Sequence, residues 1–370
     1  MSKKKKILFI IHYPPPVHGA ANVGLQIKNS KAINESFDTT FINLSTSKSV
    51  DEIGKGSITK LLRYISIFNL VLKNVIFNRP DLCYMSMTSK SPPFYKDAIL
   101  ALMVKLFNIK LIYHFHNKGV SENQNKQLDN FLYKLVFNNS NVILLSENLY
   151  PDIKKYVDKS QVYFCPNGIN DSGSIDFTEN KTDTIQLLFL SNLLVAKGIF
   201  VLLEACKRLK EQNIHFKCTF VGGEGDVNTK QFQDEIDRLK LNDCVEYIGK
   251  KFGKEKEQIF KESDIFVHPT LNDCFPLVLL EAMQFSLPVI STIEGGIPDI
   301  VEEGNTGFLI PMSNGNILAE KLEILIHNKE LRLKMGKAGR KKFSNEFTID
   351  KFENKMLNIL KNVINNLQIQ

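Results

Sequence analysis

Short runs of apolar and β-branched residues alternate with longer stretches of helical periodicity from one end of the chain to the other. In the first half the pattern predicts strands over 7–12, 39–44, 82–87, 110–115, 141–145 and 161–164, with helices over 58–77, 95–107 and 125–138. The run CPNG at 165–168 closes this block, and the polar stretch 171–183 has the composition of a linker or loop. The alternation then restarts. Strands are expected over 185–190, 217–221, 245–248, 265–268, 288–292 and 307–310. Helices fit at 199–211, 230–240, 254–263, 277–285, 297–302, 316–327 and 330–343.

Strands that are apolar almost throughout and separated by helices belong to parallel sheets covered on both faces. The pattern therefore predicts an α/β chain of two tandem, doubly wound, Rossmann-like domains, 1–167 and 168–345. A ligand is expected in the cleft between them, facing the carboxyl ends of the strands. The last stretch, 346–370, sets Phe352, Met356, Ile359, Leu360 and Val363 at helical spacing, which predicts a terminal helix packing across the domain junction.

Composition narrows the picture without changing it. A chain of 370 residues fits two domains, and 43% hydrophobic with 24% charged residues excludes disorder, collagen and coiled coil as descriptions of the whole. The formal charge of +7 is too dispersed to argue for nucleic acid and leaves an anionic small molecule or membrane surface as partner. None of the six cysteines forms a CxxC pair, so zinc spacing is absent, and Cys206 and Cys218 read as small core hydrophobes in a reducing compartment. The apolar run 7–11 behind Lys3 to Lys6 is too short for a signal peptide and soon meets prolines. Stretch 61–77 is interrupted by Arg63 and Lys73, which argues against a membrane span, and 97–110 reads as a buried helix. A cytosolic chain without a transmembrane helix is the expectation.

The most informative segment is DCFPLVLLEAM at 273–283, directly after a predicted strand. A helix starting near Pro276 would leave the amides of Leu277 and Val278 pointing outward as an anion site. Asp273 lies in the loop before that helix and Glu281 inside it. Carboxylates beside an anion site suit hydroxyls, such as those of a ribose and a sugar. A capping aspartate and a solvated glutamate would give the same residues.

Other segments carry less. In IHYPPPVHGAA at 11–21, Gly19 allows close backbone approach to a ligand, and the absence of GxGxxG argues against a dinucleotide fingerprint. His18 has no assignable role. His114 and His116 share one face at the end of a strand, with His116 nearer its carboxyl end. VGGEG at 221–225 is a weak nucleotide-loop signal. Neither HExxH nor Asp-x-Asp occurs, so no metal motif is present.

Asp273 and Glu281 with the following Ala282 and Met283, then LPVI at 287–290 and GGIPD at 295–299, resemble the donor-site signature of retaining glycosyltransferases of family 4. GNTGFL at 304–309, PNGI at 166–169, and SNL at 191–193 followed by Lys197 and Gly198 are similar to further motifs of that family, in order and at the family's spacing through most of 160–345. The likeness is thinner in the first half. Three positions depart from the family's usual residue: Asp273 replaces a glutamate, Asn192 an arginine and Pro276 a common glycine.

The resemblance implies a GT-B fold, with an acceptor-side first domain and a nucleotide-sugar-binding second domain. It implies a metal-independent, retaining hexosyltransferase, using a UDP- or GDP-sugar donor and a hydroxyl acceptor such as a lipid-linked glycan of bacterial polysaccharide biosynthesis. Glu281 would hold the ribose, and Asp273 and His116 the donor sugar. Lys197, Asn192, Gly19 and the backbone from Phe275 and Pro276 to Leu277 and Val278 would hold the diphosphate, with Lys197 stabilising leaving-group charge. Peripheral contact with an anionic membrane, through Lys3 to Lys6 and through Lys60, Arg63, Lys73 and Arg79 around an apolar helix, is expected by analogy. Two other readings compete: a nucleotide-sugar 2-epimerase of the same fold, and a catalytically degenerate nucleotide-binding module.

Overall fold

The computed structural model describes residues 3–16, 19–47, 57–172 and 184–365. The chain forms two compact units, Met1–Asn167 together with Ile349–Gln370, and Gly168–Thr348. His18 and the linker reading from Gly173 to 183 lie outside the described residues.

The first unit holds strands β1 (Lys6–Ile11), β2 (Asp38–Asn43), β3 (Leu82–Met87), β4 (Lys110–Phe115), β5 (Asn141–Leu144) and β6 (Val162–Phe164). They form a six-stranded parallel sheet in the order β2-β1-β3-β4-β5-β6. Residues 7–11 of β1 are all buried, because neighbouring strands take both backbone edges and helices cover both faces. On one face lie Val23 and Ile27 of helix Gly19–Asn29 and Ile33 of helix Lys31–Ser36.

The terminal helix, Ile349–Asn365, joins that same core. Its stripe of Phe352, Met356, Ile359, Leu360 and Val363 packs with Ile7, Phe9 and Tyr84 of the first unit's sheet. The expected apolar spacing is therefore present, and the face it buries belongs to the first unit. Residues 346–348 stay with the second unit, where the Ile169 amide donates to the Phe347 carbonyl at 2.9 Å.

The second unit holds β7 (Ile185–Leu190), β8 (Phe216–Val221), β9 (Val245–Tyr247), β10 (Ile265–His268), β11 (Val289–Thr292) and β12 (Gly307–Ile310). Their order is β12-β11-β10-β7-β8-β9, again all parallel. Cys206 and Cys218 are free and fully buried in its core. The ends of the observed strands differ from the expected ones by at most one residue.

One expectation changes. The helix Ile58–Lys73 continues through a π-helical turn, Asn74–Asn78. An 18-residue window of this 21-residue run has a mean hydropathy of 1.2, which makes the run long and apolar enough to cross a membrane despite Arg63 and Lys73. Here it lies along the first unit's sheet, burying Ile67, Val71 and Val75.

Candidate functional site

In the second unit β10 ends at His268, and the loop after it carries Asp273 into the helix Leu277–Gln284. Pro276 stands at the N-cap in an extended conformation, so the helix begins one residue later than the proline. No side chain caps this helix start, and its first amides have no acceptor within the helix. The positive end of the helix thus stands beside the carboxylate loop.

Two neighbouring turns hold that loop. The carbonyl of Ala196 accepts from the amides of Leu271 (2.8 Å) and Asn272 (3.3 Å) and from the Thr270 hydroxyl (3.1 Å). Gly198 makes this approach possible: its φ is +79°, and a Cβ there would lie 1.9 Å from the Pro269 carbonyl oxygen. From the other side Gly295, at φ +54°, leaves room for the Asp273 carbonyl, which a Cβ would meet at 2.3 Å. The buried Glu294 accepts from the Asp273 amide at 3.2 Å.

This stitching sets the charges. Lys197 Nζ lies 2.5 Å from Asp273 Oδ2, and His268 Nε2 lies 3.3 Å from the same oxygen. Asp273 Oδ1 accepts from the Cys274 amide at 3.0 Å. His268 is buried between Phe189 and Phe266, and its Nδ1 has no hydrogen-bond partner. An ionised Asp273 only accepts, so in this contact Nε2 carries the imidazole proton. Burial alone would raise the Asp273 carboxyl. The His268 hydrogen bond and the Lys197 charge outweigh it and hold the group at about 2.

Glu281 is the fifth residue of the same eight-residue helix and is ion-paired. Lys256, from helix Gly253–Glu262, places Nζ 2.8 Å from Oε1 and 2.7 Å from Oε2. Asn192 is exposed, and its side-chain oxygen accepts from the Gly223 amide at 3.0 Å. That contact joins its loop to the glycine turn at 221–225, so the turn shapes the Asn192 loop. Phe275 is buried with its ring 6.1 Å from that of Phe347, whereas Leu277 and Val278 are half-buried.

The first unit positions the other expected residues. Gly19 opens its helix, and a Cβ there would meet nothing within 4 Å. His114 is fully buried and hydrogen-bonded through Nδ1 to the Tyr84 hydroxyl; burial, helped by His116, keeps it well below the ordinary histidine range and therefore neutral. His116, one residue beyond β4, is half-buried with its ring 4.1 Å from that of His114.

The fold thus brings Lys197 and Asp273 into direct contact, where the sequence suggested separate partners. It adds His268, Lys256 and Glu294. A histidine at the carboxyl end of a strand was a usable signal for His268. Lys256 offered none, because its partner lies on another helix. Among the described residues no group of three or more His, Cys, Asp or Glu side chains lies where it could hold a metal ion.

Residues 171–342 match the family model for glycosyl transferases group 1. The chain is 34% identical over 160 residues to the amylovoran biosynthesis glycosyltransferase AmsK of Erwinia amylovora, covering 42% of this chain and 37% of that protein. It is 29% identical over 166 residues to the capsular polysaccharide biosynthesis glycosyltransferase CapM of Staphylococcus aureus, covering 45% and 43%. The chain thus spans about two fifths of the length of these curated relatives. Among solved structures, Anabaena Alr3699/HepE, crystallised in complex with UDP and glucose, superposes with a TM-score of 0.71 at 17% identity, covering 97% of this chain and 100% of that one. Residues 171–342 are thus similar to glycosyl transferases group 1, and the two Rossmann-like sheets of the chain are those of the GT-B fold.

Proposed function

We propose that the protein is a retaining, metal-independent glycosyltransferase of family 4. It would move a hexose-type sugar from a UDP- or GDP-sugar to a hydroxyl acceptor, with a lipid-linked glycan of polysaccharide biosynthesis as the acceptor class. The observation that carries this reading is the cluster of Lys197, Asp273 and Glu281 around the uncapped start of helix Leu277–Gln284. Similarity to AmsK and CapM and the UDP and glucose bound by HepE support the pathway and donor class.

In this reading the diphosphate lies at the amides of Leu277 and Val278, with Lys197 alongside. An ammonium has three donors, so Lys197 can keep its bond to Asp273 while giving another to phosphate. Its positive charge and the helix start would stabilise the leaving diphosphate without a metal. Glu281, clamped by Lys256, retains lone pairs for the ribose hydroxyls. Asp273 accepts from a donor-sugar hydroxyl. Gly19 leaves open space beside a helix start for close approach of the donor. Retention would follow from departure and attack on one face, with a phosphate oxygen taking the acceptor proton. A lipid-linked acceptor would place the protein peripherally on the inner face of the cytoplasmic membrane.

The test is a thermal-shift panel of UDP, GDP, ADP, CDP and dTDP, with and without EDTA, beside Glu281→Ala. Ligand at about 100 times its dissociation constant adds about 2.7 kcal/mol of stability. A shift with UDP or GDP that EDTA leaves intact and Glu281→Ala removes is the expected result. No shift with any nucleotide would overturn the donor assignment. Incubation with a UDP-sugar alone separates the epimerase reading, which requires an isomerised sugar without acceptor.

A further inference from the structure

The helix Ile58–Lys73 is turned inside out over its first turns. Ile58 is 79% exposed, Leu61 58% and Leu62 61%, and Ile65 is also exposed. Their spacing of i, i+3, i+4 and i+7 makes one stripe of a helix. That stripe faces solvent. Lys60, Arg63 and Tyr64 are less exposed, with the Arg63 guanidinium donating to the Thr46 carbonyl at 2.7 Å and the Tyr64 hydroxyl to the Lys96 carbonyl at 2.8 Å. Further along, Leu70, Ile76 and Phe77 are exposed too, the last at 76%.

The outward apolar surface continues across two neighbouring helices. Pro93–Leu106 packs beside Ile58–Lys73 and exposes Ile99 and Leu106. Gln127–Phe137 packs beside Pro93–Leu106 and exposes Leu128, Phe131 and Leu135. Soluble proteins rarely leave so wide an apolar face uncovered without using it.

Its charges have one sign. Ile58–Asn78 contains no aspartate or glutamate, and the other two helices contain only Asp97 and Asp129. Both are buried, and the Asp97 carboxylate accepts from the Thr88 amide. What these helices show to solvent is apolar and uncharged polar side chains, with Lys73, Lys96 and Lys134 as the exposed charges, and Arg79 follows directly. Lys3 to Lys6 contribute differently: Lys5 pairs with Asp81 and Lys6 bonds the Asn78 carbonyl at the amino end of the sheet.

We infer that the outward face of these three helices seats the first unit on an anionic lipid bilayer. Apolar side chains enter the acyl boundary while the cations meet lipid phosphates, which three helices without an exposed carboxylate favour. A second copy in the same place would set these cations against one another. The inner stripe of Ile67, Val71 and Val75 is used by the fold, so the run Ile58–Asn78 lies on the bilayer and does not cross it. This deepens the membrane location proposed above and is independent of the donor chemistry, since vesicle binding needs no turnover.

The test is flotation of the full chain with phosphatidylcholine vesicles, with and without phosphatidylglycerol, at low and raised salt, plus the oligomeric state in solution. Binding to the anionic vesicles that weakens with salt is expected. Lys73→Gln with Lys96→Gln should lower it about tenfold or more, and Phe77→Ser with Leu106→Ser by a similar factor. All four residues are exposed, and unchanged thermal melting and nucleotide shifts verify that the variants fold. No binding to anionic vesicles, binding unaffected by both pairs, or self-association that Phe77→Ser with Leu106→Ser abolishes would each overturn the inference.

Discussion

The ammonium of Lys197 lies 2.5 Å from the Oδ2 of Asp273, across 76 positions of sequence. The cation proposed to neutralise phosphate and the acid proposed to hold the sugar therefore form one unit, and neither can be altered alone. Lys197→Ala is expected to lower donor turnover at least about tenfold, or ~1.4 kcal/mol in the barrier. It also leaves a largely buried carboxylate to the His268 imidazole and the Cys274 amide, with no fixed cation beside it. Restoring length and charge with Lys197→Arg should recover part of the loss. Wild-type kcat in Lys197→Ala would refute the assignment.

Asp273 should impose an acid limit on stability. Its folded value, about 2, lies below the ordinary 3.8. A depressed carboxyl stabilises the fold above its unfolded value and ceases to do so as pH falls through its folded value. The contribution is on the order of 2 kcal/mol, present above about pH 5 and lost between about pH 4 and pH 2. In Asp273→Asn that contribution is absent. The gap in Tm between wild type and variant should therefore close across this window, and a constant gap would refute the ion-paired geometry.

Lys256 and Glu281 invite a double-mutant cycle. If Lys256 serves nucleotide binding by fixing Glu281, Lys256→Ala should weaken binding less than Glu281→Ala does. The double variant should then bind no more weakly than Glu281→Ala alone. Calorimetric titration with the preferred nucleoside diphosphate decides this, and additive losses would show that Lys256 contacts the nucleotide directly.

Gly198→Ala probes the turn that delivers Lys197. The new methyl would fall 1.9 Å from the Pro269 carbonyl oxygen at a positive φ. A loss of more than about 1 kcal/mol of stability is expected, with a larger fractional loss of kcat than of nucleotide affinity. A variant with normal stability and kcat would show that the turn shifts without consequence.

The sequence by itself determined the alternation of strand and helix, because apolar periodicity and glycine or proline breaks are local properties. It also placed Asp273 before the helix and Glu281 within it, since a strand, a loop and a proline are read in order. Tertiary structure alone decided which charges meet. Lys197 reaches Asp273 because the parallel strands β7 and β10, distant in sequence, lie side by side, and Lys256 reaches Glu281 because the fold sets the helices before and after β10 next to each other. His268 became a third partner when burial between Phe189 and Phe266 left Nε2 turned toward that carboxylate. Periodicity likewise marked stretch 58–77 as helical. Which stripe faces inward depends on the sheet it packs against, and here the sheet takes Ile67 and Val71 while Leu61 and Leu62 stay outside. The spacing in the terminal helix predicted an apolar stripe, and packing gave that stripe to the first unit, whose sheet and helix Lys31–Ser36 leave a face for it.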